Sequence, residues 1–443
     1  MTEPTRIPRA EHCISRSQIS PGTLKVLYTL KDAGYEAYMV GGGVRDLLAG
    51  LEPKDFDIAT NAHPEQVKAL FRSCRLVGRR FVICHVRFGD EITEVTTFRG
   101  PITDSHERDE TGRILSDNEY GTLEQDAFRR DFTVNALYYD IRDYSIVDFA
   151  NGLADLQRGV IRLIGDPELR YREDPVRMLR AVRIANKLGF KLAAETAKPI
   201  PRLAPLLGEI PAARLFDEVI KVLMSKDAVA SFLKLRELGL FEQLFPQTDA
   251  AIEADARSYN FVAGALLNTA ERIKRDAPVN PAFLYAALLW PPVVARMRDL
   301  IARQGHHPNV ASVQACEEVL AQALSRIAIP KRFSLPMREI WQLQPRFEMR
   351  KGGRARRLLT HPRFRAAYDF LLLRAQAGEA PQELAEWWTQ AQTGAELPPV
   401  RDTAPPAEGD DEGAEGASAP RKRRRRGGRR NRKPGGGGSS ASE

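Results

Sequence analysis

The chain has 443 residues, of which 43% are apolar, and it carries a formal net charge of +8. Because domains usually hold about 100–200 residues, a chain of this length can bury several cores without disulfide support. No apolar run approaches the roughly 20 residues that span a bilayer, and the longest candidate, residues 281–295, is interrupted by Pro291 and Pro292. Length and composition therefore exclude a disulfide-stapled miniprotein and indicate a soluble protein with no membrane partner.

The N-terminus and the cysteines indicate the cellular compartment. The opening residues, MTEPTRIPRAEH, lack the apolar segment of a secretory signal. The four cysteines have neither CxxC spacing nor the paired spacing of metal ligands; they are Cys13, Cys74, Cys84 and Cys316. We therefore expect free thiols in a reducing cytosol and a cytoplasmic location.

The first predicted unit mixes helices and strands. Ser20-Pro21 is a typical helix start, and apolar side chains then recur on one helix face until Gly34. A strand at 35–40 runs into three glycines and a short helix. Further elements are strands at 56–59, 81–88 and 92–98, and a polar, mobile loop at 103–122.

The pattern becomes helical beyond about residue 166. Apolar residues recur at spacings of three and four, and no strand-like alternation reappears. The predicted helices are 173–189, 211–225, 228–240, 313–327 and 364–377. From about residue 396 the chain is Pro, Gly, Ala and charge, which cannot bury enough apolar surface to offset the entropy of ordering. We therefore predict a disordered tail, and half of the net charge of +8 lies in residues 401–443.

The main chemical signal is the segment Lys54-Asp55-Phe56-Asp57-Ile58, shortly after the glycines. Residues i and i+2 of a strand share a face, so Asp55 and Asp57 should point one way and Phe56 and Ile58 into the core. Magnesium prefers carboxylate and phosphate oxygens, and two ions about 3.5–4 Å apart can stabilise the attacking and leaving oxygens of phosphoryl transfer. The pair suits nucleotidyl transfer, although a solvated strand face explains most isolated DxD pairs.

A third carboxylate would complete such a site, and the sequence offers two candidates. Asp131 follows Arg129 and Arg130, which could contact a triphosphate, whereas Glu94 lies in a predicted strand. An isolated strand carboxylate more often pairs with a neighbouring arginine, so we favour Asp131. Sequence spacing alone leaves both candidates open.

The glycine turn is the second element of the predicted site. Gly41-Gly42-Gly43 can bring backbone N–H groups close to phosphates at a helix N-terminus, and Arg45 would reinforce the positive potential. A dinucleotide fingerprint needs a glycine where Asp46 stands, and a Walker A loop needs Gly-Lys-Ser/Thr, so both rival motifs fit this sequence poorly. A simple tight turn remains the alternative for the glycines alone.

The third element is a polar stripe on the helix predicted at 173–189. Its residues follow one another at steps of three, which places them along one side of the helix; they are Asp174, Arg177, Arg180 and Arg183. Like charges at this spacing repel, and an anion or a hydrogen-bonding base would relieve the repulsion. A solvated arginine face is the default alternative.

Together these segments resemble a known family. GGGVRDLLAG, KDFDIAT, EVTTFRG, RRDFTVNALYYD, DFANGLADLQRGVIRLIG and YREDPVRMLRAVR occur in the order seen in class II nucleotidyltransferases, which comprise bacterial poly(A) polymerases and CCA-adding enzymes. The joint match covers roughly residues 20–225. The basic tail and the segments at 6–20, 75–81 and 362–374 look like those of poly(A) polymerases, and CCA-adding enzymes usually lack such a tail.

The resemblance implies an α+β fold, with a β-polymerase-like palm followed by an all-helical neck and body. The implied domains are an N-terminal extension (1–19), a catalytic palm (20–150), a neck that binds nucleotide and RNA (151–230), an RNA-binding body (231–395) and a disordered Arg-rich tail (396–443). It also implies catalytic carboxylates at Asp55, Asp57 and Asp131, of which Asp55 and Asp57 hold metal. The implied nucleotide contacts are Gly42, Arg45, Arg130, Arg180 and Arg183, with Asp174 and Arg177 meeting the base.

The tail adds an expected RNA tether. Its basic runs should release counterions on binding phosphates and so give salt-sensitive, sequence-indifferent binding; they include Arg423, Arg424, Arg425, Arg426, Arg429 and Arg430. A solubilising tail is the alternative.

We therefore predict template-independent addition of AMP from ATP to RNA 3′ ends with two Mg²⁺ ions, serving RNA processing or decay. RNA-decay proteins are candidate partners. The rival functions are a CCA-adding tRNA nucleotidyltransferase and, in another class, a non-catalytic RNA-binding protein.

Overall fold

The computed structural model describes residues 3–78, 82–100 and 119–394. The core of the predicted mobile loop and the predicted disordered tail, including the six arginines predicted to bind RNA, lie outside the described residues. Within them, the chain forms one large mixed sheet followed by a long series of helices. An α+β fold is therefore confirmed.

The sheet has eight strands in the order β1-β8-β7-β2-β3-β6-β5-β4, with β3 and β6 parallel and the other described neighbours antiparallel. Central β2 lies between β3 and β7, and all of its side chains are buried. The strands are β1 (Thr5–Ile7), β2 (Ala37–Val40), β3 (Asp57–Thr60), β4 (Cys74–Val77), β5 (Ile83–Phe88), β6 (Glu91–Thr97), β7 (Leu137–Asp140) and β8 (Ile146–Asp148).

The described residues of the sheet region form the helices α1 (Pro21–Asp32), α2 (Gly42–Leu48), α3 (Pro64–Leu70), α4 (Leu123–Arg129) and α5 (Gly152–Arg158). The predicted start of α1 is confirmed, because the Ser20 side chain accepts a hydrogen bond from the Thr23 N–H and Pro21 occupies the first turn. Apolar residues of α1 and α3 pack on one face of β4, β5 and β6. That packing leaves alternate strand residues on the opposite face.

The rest of the described chain is mainly helical, as predicted. The helices are α6 (Pro167–Glu173), α7 (Val176–Leu188), α8 (Ala194–Ala197), α9 (Ile200–Leu203), α10 (Ala212–Leu223), α11 (Ala228–Glu237), α12 (Leu240–Leu244), α13 (Pro246–Ala254), α14 (Ala256–Lys274), α15 (Pro281–Leu288), α16 (Trp290–Gln304), α17 (Pro308–Arg326), α18 (Lys331–Leu343), α19 (Gly352–Leu359), α20 (Phe364–Gln376) and α21 (Gln382–Thr393). Short 3₁₀ helices occur at Arg9–Glu11, Arg16–Gln18, Thr133–Asn135, Ala204–Glu209 and Gln344–Glu348. One large apolar core links α7 with the helices of the later region.

Two predictions about strands were wrong. A two-residue strand, β10 (Lys191–Leu192), pairs in parallel with β9 (Val160–Ile161), and strands this short leave no alternation to detect. Asp55 and Asp57 do not share one strand, because β3 begins at Asp57. A Cβ at Gly43 would lie 3.3 Å from the Asp55 carbonyl oxygen, so the segment before β3 is pressed against the glycine turn instead of joining the sheet.

No helix among the described residues is long and apolar enough to cross a membrane. All four cysteines are free thiols, as predicted, and Cys84 and Cys316 are buried. Burial raises the pKa of each of these two thiols to about 12, because the thiolate form loses its hydration.

The start of α5 gives a test of this packing. A Cβ at Gly152 would overlap the backbone carbonyl oxygen of Thr133, so Gly152→Ala should lower the free energy of unfolding by about 1–3 kcal/mol in urea titrations. Gly353→Ala is the matched control, because a Cβ there has no neighbour within 4 Å; it should be neutral or raise stability by about 0.4–1 kcal/mol. Equal effects of the two substitutions would contradict the described contact.

Candidate active site

The glycine turn and Asp57 lie in direct contact. Gly41 connects β2 to α2 with φ 75° and ψ −137°, a conformation that side chains disfavour. A Cβ at this position would lie 3.3 Å from Asp57 Oδ2 and 3.6 Å from Arg130 Nη1. The turn therefore needs glycine here for both its conformation and its space, and it places backbone beside a carboxylate and a guanidinium.

The carboxylates of Asp55 and Asp57 are available for a ligand. Asp55 is exposed and Asp57 is half-buried, and neither carboxylate has a hydrogen-bond or ion-pair partner within the described chain. Burial, and then the negative charges of Glu94 and Asp55, raise the pKa of Asp57 to about 6, although Arg130 and Arg180 act in the opposite direction. The site thus holds repelling negative charge that a cation would relieve.

Asp131, by contrast, is fully engaged. Its Oδ2 accepts a hydrogen bond from Arg180 Nε at 2.8 Å, and its Oδ1 accepts from Asn135 Nδ2 and from the Phe132 N–H, each at 2.9 Å. Burial alone would raise the pKa of Asp131, but the Arg180 charge and these hydrogen bonds hold it well below its usual range. Asp131 is therefore a charged anchor for α7.

A second anchor lies two turns further along α7. Lys187 Nζ donates to Asp46 Oδ2 at 2.6 Å, and Asp46 Oδ1 accepts from Arg45 Nε at 2.9 Å. Arg45 Nη1 in turn donates to Asn135 Oδ1 at 2.6 Å. These contacts close a ring that we call the α7 network, formed by Lys187, Asp46, Arg45, Asn135, Asp131 and Arg180.

Arg130 is held against β7 beside Asp57. Its guanidinium donates to Asp126 Oδ2 at 3.0 Å and to the Tyr138 hydroxyl at 2.8 Å. Tyr138 in turn donates to Asp126 Oδ2 at 2.6 Å. Burial opposes the charged form of Arg130, but the charges of these neighbours outweigh it and raise the pKa of the guanidinium. Arg130 is consequently a fixed positive charge at the site.

The predicted base-contacting residues are also held by ion pairs. Asp174, which ends α6, accepts a hydrogen bond from Arg214 Nη2 at 2.7 Å. Arg177 Nη1 donates to Glu173 Oε2 at 2.9 Å and to the Arg170 carbonyl oxygen at 2.6 Å. Both side chains keep part of their surface exposed.

Arg183 carries unmet hydrogen-bonding capacity. Its Nε lies 3.7 Å from Glu218 Oε2, and both atoms are buried without a hydrogen-bond partner in the described structure. Burial lowers the pKa of the Arg183 guanidinium. A polar ligand beside these atoms could satisfy them.

The arrangement combines available carboxylates with a positively charged cradle. The Asp57 carboxylate lies beside Gly41 and the backbone of Asp55 lies beside Gly43; Arg45 lies next to the same turn, since a Cβ at Gly42 would be 3.5 Å from its Nη2. Arg130 and Arg180 are near enough to Asp57 to influence its pKa. Such a site can neutralise a triphosphate while carboxylates serve the reacting oxygens.

Comparison with known proteins identifies the family. Family models match residues 37–162 ("Poly A polymerase head domain"), 189–252 ("Probable RNA and SrmB- binding site of polymerase A") and 304–431 ("Polymerase A arginine-rich C-terminus"). Poly(A) polymerase I of Salmonella typhi is 51% identical over 401 residues, which are 88% of this chain and 86% of that protein. The chain belongs to the poly(A) polymerase family. It is thus a polyadenylyl-transferring enzyme of the nucleotidyltransferase class, as predicted.

CCA-adding enzymes are more distant from this poly(A) polymerase family member in sequence. That of Lactobacillus helveticus is 44% identical over 199 residues, only 45% of this chain and 49% of the relative. The crystal structure of the Bacillus stearothermophilus CCA-adding enzyme in complex with CTP has 28% sequence identity and a TM-score of 0.52. The match covers 84% of this chain and 82% of the chain of that enzyme. The CCA-adding alternative is therefore the weaker one, although the fold is shared.

The sequence patterns did not predict several residues that hold the site together. Asn135 bridges Arg45 and Asp131, and Asp46 joins Arg45 to Lys187. The signal for Asn135 was present, since it is a polar residue inside the apolar run FTVNALYY. For Asp46 the sequence pattern shows only that an acidic residue stands where a dinucleotide motif has glycine.

The Asp131–Arg180 ion pair predicts a coupled loss of stability. Asp131→Asn and Arg180→Gln should each lower the free energy of unfolding by about 1–3 kcal/mol, because each leaves a poorly solvated partner unsatisfied. The double variant should lose less than the sum, as measured by urea unfolding. Arg172→Gln is the control, since its ion pair with Glu168 is solvent-exposed and should matter by less than about 0.5 kcal/mol. Additive losses would rule out a direct coupling.

Proposed function

We propose that this poly(A) polymerase family member joins the RNA 3′ oxygen to the α-phosphate of ATP at Asp55 and Asp57, with release of pyrophosphate. The observation that carries this assignment is the pair of unengaged carboxylates next to the glycine turn and its arginines. In the proposal the triphosphate lies against Gly42, Arg45, Arg130, Arg180 and Arg183.

The carboxylate pair suits Mg²⁺. No group of three His, Cys, Asp or Glu side chains in the described ranges lies close enough to hold a metal ion. Magnesium in phosphoryl-transfer sites is often held by one or two carboxylates, with substrate phosphates and water completing its shell. Burial, together with the negative charges of Glu94 and Asp55, raises the pKa of Asp57, and a divalent cation beside this carboxylate would offset that negative charge. Asp55 and Asp57 are therefore proposed to hold two Mg²⁺ ions together with ATP.

The protein's own contribution is positioning and charge. Bound Mg²⁺ supplies neutralisation of the charge on the attacking and leaving oxygens. Arg45 uses three of its donor bonds on Asp46 and Asn135, and a guanidinium has five N–H donors, so two remain for phosphate oxygens. Because Arg45 and Arg180 are held within the α7 network, they need little reorganisation during the reaction.

Glu94 is proposed as the supporting carboxylate, in preference to Asp131. Glu94 lies opposite Asp57 in the pairing of β3 with β6, and its charge contributes to the raised pKa of Asp57. Both oxygens of Asp131 are occupied by Arg180, Asn135 and a backbone N–H. We propose that Asp131 supports catalysis by fixing Arg180.

Base selection is proposed to involve Asp174 and Arg177, each already oriented by an ion pair with Arg214 or Glu173. The predicted division into palm (20–150), neck (151–230) and body (231–395) is retained as a proposal. The Arg-rich tail is proposed to tether RNA through sequence-indifferent phosphate contacts. Cytoplasmic RNA decay, with decay proteins as partners, is the proposed setting.

Nucleotide and primer assays test the function. The enzyme should extend an unstructured RNA primer with ATP alone to give long A-only products, and Asp55→Ala or Asp57→Ala should reduce the rate by at least about 100-fold, because metal stabilisation contributes several kcal/mol. Asp90→Asn removes a fully exposed carboxylate on the neighbouring β5–β6 turn and should retain activity.

Near-normal activity of Asp57→Ala would remove the proposed site. Ordered C, C, A addition to a tRNA that lacks its 3′ end would favour the CCA-adding alternative. Retained RNA binding with no ATP turnover by the unsubstituted enzyme would favour a non-catalytic RNA-binding protein.

The third carboxylate can be identified from the Mg²⁺ dependence. Glu94→Gln should raise the Mg²⁺ concentration needed for half-maximal activity, because it removes negative charge beside Asp57. Asp131→Asn should leave that concentration unchanged and raise the KM for ATP, since it releases Arg180 from its anchor. The opposite pattern in a Mg²⁺ titration would return the metal-supporting role to Asp131.

A further inference from the structure

A row of polar side chains crosses the sheet from Asp57 to the edge strand. In the strand register Asp57 lies opposite Glu94, Glu94 lies opposite His85, and His85 lies opposite Arg75. Directly paired residues project from the same face of a sheet. His85 Nε2 and Glu94 Oε1 are 3.5 Å apart, as this arrangement requires. We call Asp57, Glu94, His85 and Arg75 the cross-strand row.

Nothing in the described part of the chain covers the face that carries the row. The opposite face of β4, β5 and β6 is covered by α1 and α3, and Cys84 and Val95 are buried there. On the row's face Arg75 is exposed, and the side chains of His85 and Glu94 retain 31% and 47% of their surface. Side-chain alternation along these strands therefore gives a continuous accessible surface that begins at Asp57.

The charge along this surface changes sign. Asp57 and Glu94 form its acidic end, and the guanidinium of Arg75 makes the other end positive. Arg75 has no ion-pair or hydrogen-bond partner in the described ranges. Neighbouring strands are about 4.8 Å apart, so Arg75 lies roughly 14 Å from Asp57 along the row. Exposed Val77 and Ile92 provide apolar surface on the same face.

The other side of Asp57 is occupied by the proposed nucleotide site, and the inference rests on that proposal. Gly41 and Arg45 follow β2, and Arg130 is held by Tyr138 on β7. In the sheet order β2 and β7 lie on one side of β3, and β6, β5 and β4 lie on the other. Because the attacking and leaving oxygens of phosphoryl transfer are roughly in line, an acceptor should approach from the side opposite pyrophosphate.

We propose that the 3′ strand of the RNA acceptor lies across β6, β5 and β4, with its terminal hydroxyl at Asp57 and an upstream phosphate at Arg75. The carboxylates at the near end would repel phosphates unless cations are bound, whereas the terminal hydroxyl carries no charge. The free guanidinium at the far end matches a phosphate. His85 lies between them, within reach of the ribose or the phosphate of an intervening nucleotide. The strand is held by its backbone, without reading of the base sequence.

Arg75→Gln tests the acceptor path. It should raise the KM for a short oligo(A) primer by about fivefold or more at moderate salt, with the KM for ATP unchanged. The slope of log KM against log salt should fall by about 0.7, the value for one lost contact to a single strand. Lys68→Gln is the matched control, since exposed Lys68 lies on α3, which covers the opposite face.

A primer with one neutral methylphosphonate linkage locates the contact. Moving this linkage step by step from the 3′ end should identify a position that raises the KM for the unsubstituted enzyme. The same primer should have no further effect on Arg75→Gln, because the two changes remove one interaction. His85→Gln should raise the primer KM less, since the glutamine amide can still hydrogen-bond to the ribose or the phosphate.

The variants distinguish a failure of the acceptor path from a failure of the proposed catalytic site. If Asp57→Ala is inactive but Arg75→Gln and Lys68→Gln have the same primer KM, the acceptor path is wrong and the catalytic site stands. If Asp57→Ala is active, both proposals fail. A higher KM for ATP in Arg75→Gln would show that this surface serves the nucleotide, which also overturns the proposed path.

Discussion

The geometry of the site depends on the ion pair between Asp131 and Arg180. It joins the turn that follows α4 to the middle of α7, and Asn135 extends it to Arg45 beside the glycine turn. Lys187 fixes the same helix again through Asp46. Since Arg180 and Lys187 are seven residues apart, they lie two turns apart on nearly one face of α7. Two attachments on one face restrain both the rotation and the tilt of the helix that carries the arginines.

This restraint separates two classes of carboxylate that the sequence presents alike. Asp131 and Asp46 accept hydrogen bonds from fixed cationic side chains and act as internal counterions. Asp55 and Asp57 have no such partners in the described chain, and the raised pKa of Asp57 shows the effect of burial beside like charge. A network that satisfied every carboxylate would leave none for substrate chemistry. Contact with the basic side chains of α7 therefore determines which carboxylates are internal counterions and which remain available for substrate.

Much of the fold and the position of the site could be predicted from local patterns. The cap at Ser20, the strand leading to Gly41 and the apolar periodicity of α7 depend on residues near in sequence, and the structure contains each of them. The partner of Asp131 could not be predicted, because Arg180 lies 49 residues away and the pair forms only when α7 packs on the sheet. The alignment of Glu94 with Asp57 could not be predicted for the same reason, because it is a property of strand pairing.

The first strand has a consequence for the outer edge of the sheet. β1 has only three residues, and it lies between Pro4 and Pro8 and pairs with β8. Proline offers no N–H to a further strand, so the flanks of β1 discourage another chain from adding there. Removal of the chain up to Ile7 would leave β8 as the edge strand and would expose its backbone, whereas all of its residues are buried in the intact fold. Residues 5–7 thus cover the edge of β8 with a short strand that offers little for a further strand to pair with.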